Sequence, residues 1–233
     1  MFKATQTMIL LALLLFVMAV FSANAAMEAT GSEAPLRQGE NVLAAAAFND
    51  SPGSSDLSLI VQLKVNDQIV IDEGTPVKAI EPQGNIPSDA DPTGWTKPEF
   101  DDSAWQDGTY GVGYGDGDDN TVIGSKAANT VSVYTRARFN VADPSAVATL
   151  TLGVDYDDAA VIFINGVEVA RTPGTDIPEK PEWDSWSDQG SGQSHEASKT
   201  DPPTYEIVEL KFALATAVSS KGKLATVWGQ LKR

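Results

Sequence analysis

The residues with the clearest potential for chemistry form an acidic, glycine-rich loop after Gly115. This loop offers oxygen ligands at close spacing on a flexible backbone, which is the donor type that Ca²⁺ prefers. The predicted ligands are Asp116, Asp118, Asp119 and Asn120. An EF-hand is excluded, because the glutamate expected at its twelfth position is missing and no flanking helices are predicted. A solvated turn of aspartates and glycines is the alternative that stays open.

Three more carboxylates lie close together further along the chain, namely Asp155, Asp157 and Asp158. They are candidates for additional calcium ligands. The alternative is that Asp157 and Asp158 cap a bend before the strand that follows, as short acidic side chains often do.

A second set of residues has the types that bind sugars. Sugar binding needs an aromatic platform for the ring face and planar polar groups for the hydroxyls. The candidates are Trp183, Trp186, His195, Glu196, Arg136 and Tyr114. The alternative is that the two tryptophans of residues 172–204 close one end of the fold. Trp95 and Trp105 flank a predicted turn and are expected in the core.

Catalytic constellations are missing from the pattern. Asp157 and Asp158 are neighbours in a predicted strand, so their side chains point to opposite faces and cannot flank one glycosidic bond. His195 has no Gly-x-Ser-x-Gly turn to serve, and no phosphate loop or zinc motif appears. We therefore predict that the protein is not an enzyme.

Charge and cysteine content restrict the partners and the stabilising bonds. The chain has 32 acidic and 16 basic residues, a net charge of -16, and no cysteine. Such a surface repels phosphate backbones, so we predict no nucleic-acid partner. Without disulfides, the fold must depend on core burial or bound ions. The partner we expect is a glycan or cell-surface polysaccharide, and the oligomeric state stays open.

The N-terminus has the layout of a secretory signal peptide. Residues 1–25 contain Lys3, an apolar run over residues 8–21 and the small residues Ala23-Asn24-Ala25. The run is shorter than the ~20 residues that a membrane span needs, so we predict cleavage after Ala25 and no span in the mature chain. The protein is then secreted, at the cell surface or periplasmic, and residues 26–38 form a flexible leader.

The elements that must position these residues are short strands. Apolar residues alternate with polar ones over residues 57–65, 131–139, 150–154 and 208–214, which is the period of half-buried strands. The first of these is preceded by an apolar run from Val42. In residues 131–139 the other face carries Tyr134, Arg136 and Arg138, so we predict a basic and aromatic outer face there. Asn165-Gly166 joins two apolar runs and predicts a two-residue type I′ hairpin. Residues 100–105 predict one helical turn. Together the pattern predicts an all-β, antiparallel β-sandwich.

The order of several motifs resembles a known family. The motifs are Phe100-Asp101-Asp102-Ser103-Ala104-Trp105, Gly113-Tyr114-Gly115-Asp116, Tyr134-Thr135-Arg136-Ala137-Arg138-Phe139, Tyr156-Asp157-Asp158, and residues 161–171 around Asn165-Gly166. They resemble the galactose-binding-like jelly-roll domains of secreted bacterial proteins, over about residues 67–228. The resemblance implies a jelly roll that binds sugar in some proteins and is a spacer in others.

One segment departs from the family pattern. Residues 39–44 and 54–58 resemble the C-terminal strands of such a domain, yet they precede the main body, residues 66–233. Either the chain is a fragment of a tandem array, or residues 39–65 close the sandwich in permuted order. Because an unpaired sheet edge invites aggregation, we expect the closed form, a single domain over residues 39–233. The predicted function is non-catalytic glycan recognition with a structural calcium, and the alternative is a structural or adhesive spacer without a small ligand.

Overall fold

The structure is a computed structural model that describes residues 26–117 and 119–214. The described residues form fifteen strands and three single-turn 3₁₀ helices. The strands are β1 (Glu28–Ala29), β2 (Glu33–Leu36), β3 (Gly39–Phe48), β4 (Leu57–Val65), β5 (Gln68–Ile71), β6 (Pro76–Ile80), β7 (Gln106–Thr109), β8 (Val112–Tyr114), β9 (Thr121–Val122), β10 (Ser132–Val141), β11 (Leu150–Asp157), β12 (Ala159–Ile164), β13 (Val167–Arg171), β14 (Glu206–Glu209) and β15 (Lys211–Leu214). The 3₁₀ helices are Gly94–Thr96, Lys126–Ala128 and Pro144–Ala146. The predicted signal peptide lies outside the described residues, and so does a last short strand that the sequence predicts over residues 224–228.

Two sheets pack face to face. The first has the strand order β1-β13-β12-β3-β10-β6-β7, and the second has the order β14-β11-β4-β8-β9, with β5 also paired to β4. All these pairs are antiparallel except β8 with β9, and a separate parallel pair joins β2 to β15. The predicted all-β antiparallel sandwich is confirmed, while its jelly-roll connectivity stays a prediction.

The main core lies between the two sheets and follows the predicted alternation. Leu57, Leu59, Val61 and Leu63 of β4 are completely buried there. They face apolar side chains of the other sheet, namely Leu43, Ala45, Ala47, Val133, Ala137, Ile162 and Ile164. Burying this apolar surface is the main stabilising contribution to the fold.

The N-terminal strands occupy the middle of both sheets. In the first sheet β3 pairs along its length with β10 and, on its other side, with β12. In the second sheet β4 lies between β11 and β8. Residues 39–65 therefore pair within their own chain, as the closed arrangement requires. From Val42 to Phe48, β3 has neighbours on both edges and both faces, which explains why this part of the strand is a continuous apolar run.

The predicted hairpin is confirmed, and the segment before β3 differs from its prediction. Asn165 and Gly166 have φ angles of 49° and 86°, as a type I′ turn between β12 and β13 requires. Where the sequence predicted a flexible leader, residues 26–38, the structure has β1 and β2. Ala34 and Leu36 of β2 are completely buried in the core, so their apolar side chains account for the difference.

The outer face of the first sheet is covered, and here a sequence prediction is wrong. The alternation in β10 predicted an exposed basic and aromatic face that included Arg136. Instead Tyr134 and Arg136 are each 1% exposed. Trp95 stacks on Tyr134 with ring centroids 4.3 Å apart, and Trp105 packs beside Trp95. Both tryptophans are core residues, as predicted, but they belong to a second core outside the sheet. A period of two identifies the two faces of a strand and does not show what covers them.

The guanidinium of Arg136 holds this covering segment in place. Its Nε donates to Oδ2 of Asp102 at 2.7 Å. Its other nitrogens donate to the carbonyl oxygens of Trp95, Lys97 and Phe100. Residues 100–105 consequently form turns rather than the predicted helical turn, with the amide of Trp105 bonded to the carbonyl oxygen of Asp102.

Asp102 is the only carboxylate in direct contact with this guanidinium among the described residues. Arg138 also donates to it, through Nη2 to Oδ1 at 3.0 Å. Burial alone would raise the pKa of Asp102, but the bonds from Arg138 and Arg136 outweigh it and lower the pKa. The ion pair is therefore charged and buried, with both side chains almost fully enclosed.

We expect Asp102→Asn to destabilise the protein strongly. Removing one charge leaves Arg136 buried and unpaired, which typically costs about 3–5 kcal/mol of the free energy of unfolding. Asp107→Asn is the matched control, because Asp107 pairs with Lys78 while its side chain is 89% exposed, and such pairs contribute at most about 1 kcal/mol. Urea denaturation measures both variants. Equal, small losses would show that the Arg136 pair does not hold the outer core.

Candidate functional site

One cleft of the protein is lined by the two tryptophans of the long loop between β13 and β14. It has a volume of about 270 Å³, and Trp183 and Trp186 line it. Four planar polar side chains share the lining: Glu81, Gln83, Asn129 and Asp184. Glu81 and Gln83 follow β6, and Asn129 follows the second 3₁₀ helix. With Pro52 of the β3–β4 loop, four separate chain segments therefore converge on one small concave surface, as in ligand sites.

The backbone around the two tryptophans is fixed by side chains and strands beneath it. Ser132 Oγ donates to the carbonyl oxygen of Trp183 at 2.6 Å, and the amide of Trp183 donates to Oδ1 of Asn85. The amide of Ser187 donates to the carbonyl oxygen of Asn49 at 2.8 Å. These bonds hold the loop through its main chain and leave the indole rings for other contacts.

The two indole rings are half-buried. Among the described residues, neither indole N–H donates a hydrogen bond and neither ring stacks on another aromatic ring. A tryptophan that closes the end of a core buries its ring and finds a partner for its N–H. Trp183 and Trp186 instead remain partly exposed at the cleft.

The other predicted sugar-binding residues lie elsewhere, and the structure does not bring them to this cleft. Arg136 is buried in the outer core, as described above. Tyr114 is 4% exposed, and its hydroxyl accepts from Nδ2 of Asn49 at 2.8 Å. Glu196 lines a different, acidic cleft. The missed lining residues Glu81, Gln83 and Asn129 carried no local sequence signal, since only the fold brings their segments together.

His195 has a structural environment. Its ring stacks on Tyr156 with centroids 4.2 Å apart. Nδ1 lies 2.9 Å from the carbonyl oxygen of Tyr156, and Nε2 lies 3.0 Å from Oε1 of Glu206. A carbonyl oxygen only accepts, so Nδ1 donates there, and a protonated ring also donates from Nε2 to the carboxylate. His195 therefore ties the loop to β11 and to β14.

The acidic cleft has a volume of about 300 Å³. Asp56, Asp157 and Glu196 each place a carboxylate oxygen within 4.8 Å of the other two. Lys199 approaches two of them, with Nζ 3.4 Å from Oδ2 of Asp56 and 3.3 Å from Oε2 of Glu196. These carboxylates are hard oxygen donors of the type that binds Ca²⁺. The sequence did not predict Asp56 and Glu196 as metal ligands, because they are far apart in the chain.

Asp157 and Asp158 are both buried, and burial raises the pKa of both, but they differ in their hydrogen-bond partners. Asp158 accepts bonds from the amides of Asp50 and His195 and from Oγ of Ser194. The carboxyl group of Asp157 forms a hydrogen bond with that of Asp158. Among the described residues, no amide or hydroxyl donates a hydrogen bond to Asp157. Asp157 is only 3% exposed. Burial, followed by the charge of Asp158, raises the pKa of Asp157 to about 9.

The predicted calcium loop is spread over different environments. Asp116 is exposed and Asp119 is half-buried, whereas Asp118 lies outside the described residues. Nδ2 of Asn120 donates to the carbonyl oxygen of Tyr110 at 2.8 Å, which gives this side chain a structural role. Within the described part of the chain, three acidic or histidine side chains converge at metal-ligand spacing at Asp56, Asp157 and Glu196 and not in this loop.

Comparison of the chain with protein-family models, with curated proteins and with solved structures gives no match in any of the three. What the fold and the cleft define is an all-β sandwich protein with a loop-built aromatic cleft. The resemblance to galactose-binding-like domains stays a prediction. In the part of the chain that the structure describes, no helix has the length and apolar character needed to cross a membrane.

The buried acid Asp157 predicts a pH-dependent stability. Over a range of pH, the folded protein keeps the proton of Asp157 while the unfolded chain, in which the pKa of this group is 3.8, has lost it. This contribution to stability is complete below about pH 4 and is lost as the pH rises toward about 9. The free energy of unfolding should fall by up to about 1.4 kcal/mol per pH unit in that window.

Urea denaturation between about pH 5 and pH 8.5, with chelator present, measures this slope. Asp157→Asn should flatten it. Glu209→Gln should not, because Glu209 is exposed. A wild-type slope equal to that of Asp157→Asn would show that Asp157 is already ionised in the folded protein.

Proposed function

We propose that this protein is an exported, non-catalytic module that recognises a glycan or cell-surface polysaccharide through the Trp183 and Trp186 cleft. The observation that carries the proposal is the pair of half-buried indole rings beside planar polar groups in one cleft. The ring faces suit the apolar face of a sugar, and the polar groups suit its hydroxyls. The export signal read from residues 1–25 supports an extracellular or periplasmic location.

A glycosidase is supported less well. Asp157 is an acid with a raised pKa near two carboxylates, which is one requirement of glycoside hydrolysis. Its side chain, however, is buried, and Lys199 bridges Asp56 and Glu196. None of the described residues that line the acidic cleft is an aromatic residue that could hold a sugar ring. The non-catalytic proposal fits these environments better.

The sugar-binding proposal predicts that Trp186→Ala weakens glycan binding at least tenfold, about 1.4 kcal/mol, because aromatic anchors dominate such interfaces. Trp186→Tyr keeps a ring and should retain most of the affinity. Ile207→Ala is the control, since it removes a side chain that is 58% exposed on β14, outside the cleft. Glycan-array binding followed by titration calorimetry measures all three.

The thermal midpoint of each variant shows whether it is folded. Trp186→Ala that remains folded and binds as tightly as wild type would overturn the cleft assignment. Wild-type protein that binds no sugar on the array would favour the alternative, a structural or adhesive spacer.

We further propose that a structural Ca²⁺ is held by Asp56, Asp157 and Glu196. The spacing of their carboxylate oxygens supports this site, and so does the burial of Asp157 without an amide or hydroxyl donor among the described residues. Because the raised pKa keeps the proton on Asp157 in the ion-free protein, binding of Ca²⁺ would displace that proton and ionise the ligand. Ca²⁺ would bridge the β3–β4 loop, the end of β11 and the loop that carries Glu196.

The calcium site predicts a higher thermal midpoint with Ca²⁺ than with chelator. At about 10 mM Ca²⁺ and a Kd of about 10⁻⁴ M, binding stabilises the folded state by about 2.7 kcal/mol, or roughly 5–10 °C in the midpoint. Asp157→Asn should abolish the shift and Asp119→Asn should preserve it. The reverse result would place the ion in the loop of residues 116–120, and no shift in the wild type would remove calcium from the proposal.

A further inference from the structure

The tryptophan cleft carries negative charge and no positive charge in its lining. Glu81 and Asp184 both line it, and no lysine, arginine or histidine of the described residues does. Oε1 of Glu81 accepts from Oγ1 of Thr130 at 2.6 Å, which orients this half-buried carboxylate. Asp184 is exposed. A neighbouring cation, Lys126, lines the acidic cleft and not this one.

This combination of groups favours a cationic ligand. The π face of a tryptophan attracts an ammonium group, with most strength when the contact is partly desolvated. Carboxylates form charge-assisted hydrogen bonds with the same group. An anionic ligand, by contrast, meets two carboxylates in the cleft and a protein of net charge -16, so its approach is disfavoured.

We infer that the cleft selects glycans that carry a free amino group over neutral glycans, and rejects uronic or sulfated glycans. This inference rests on the proposed glycan-binding function and adds the chemical class of the sugar. Exposed charge pairs and cation–π contacts each contribute modestly, so the expected preference for an amino sugar over its neutral counterpart is about tenfold.

The test uses sugars that differ in one substituent. Glucosamine, glucose and glucuronate, with the matching galactose series, are compared as monomers and as short oligomers at mildly acidic pH, where the sugar amine is protonated. Titration calorimetry of the full chain measures each affinity. We expect amino sugars to bind about tenfold more tightly than neutral ones, and uronates to bind more weakly than both.

The outcomes separate the inference from the function it depends on. Uronic or neutral sugars that bind as well as amino sugars would overturn the inference and leave glycan recognition intact. Binding by no sugar of any series would overturn both.

Two variants locate the source of the preference. Asp184→Asn removes an exposed charge from the cleft lining but keeps a planar polar group, and it should reduce the ratio of amino-sugar affinity to neutral-sugar affinity about threefold. Glu209→Gln removes an exposed charge outside the cleft and changes the net charge equally. It should leave the advantage intact. Equal effects of the two variants would assign the preference to the overall charge and overturn the cleft as its origin.

Discussion

The buried pair of Arg136 and Asp102 is the contact on which the outer half of the structure depends. The guanidinium of Arg136, on β10 of the first sheet, bonds to the segment that covers this sheet. Without that bond network Trp95 would have no fixed position over Tyr134, and the sheet would expose an apolar face. A buried charge is costly, so this arrangement is stable only because the carboxylate and the carbonyl oxygens satisfy the guanidinium.

The two clefts are lined mainly by loop residues and not by this covered face. The β3–β4 loop contributes Pro52 to the tryptophan cleft and Asp56 to the acidic cleft. A cation that fixes Asp56 would therefore also fix one wall of the neighbouring cleft. Such preorganisation favours binding, because less conformational freedom is lost when the ligand arrives.

Local patterns predicted the elements whose causes are local. Alternation identified β4, because a period of two is a property of adjacent residues. Asn165-Gly166 identified the hairpin between β12 and β13, because these two residues adopt the positive φ angles of its turn. The cover over Arg136 could not be predicted in this way, since it depends on a segment about 40 positions earlier, as do its hydrogen bonds. The sequence predicted that Trp183 and Trp186 share one loop. That this loop meets Glu81, Gln83 and Asn129 could be seen only in the folded chain.

The two clefts differ in how their negative charge is balanced. In the acidic cleft Lys199 already offsets part of the charge of Asp56 and Glu196, while Asp157 is buried and rigid. In the tryptophan cleft no lysine, arginine or histidine of the described residues lines the surface beside Glu81 and Asp184, and hydrogen bonds to the main chain of Trp183 hold the loop. A cleft with two aromatic side chains and two carboxylates that no lining cation balances can form, with a cationic ligand, the charge pairs that the folded chain does not form itself.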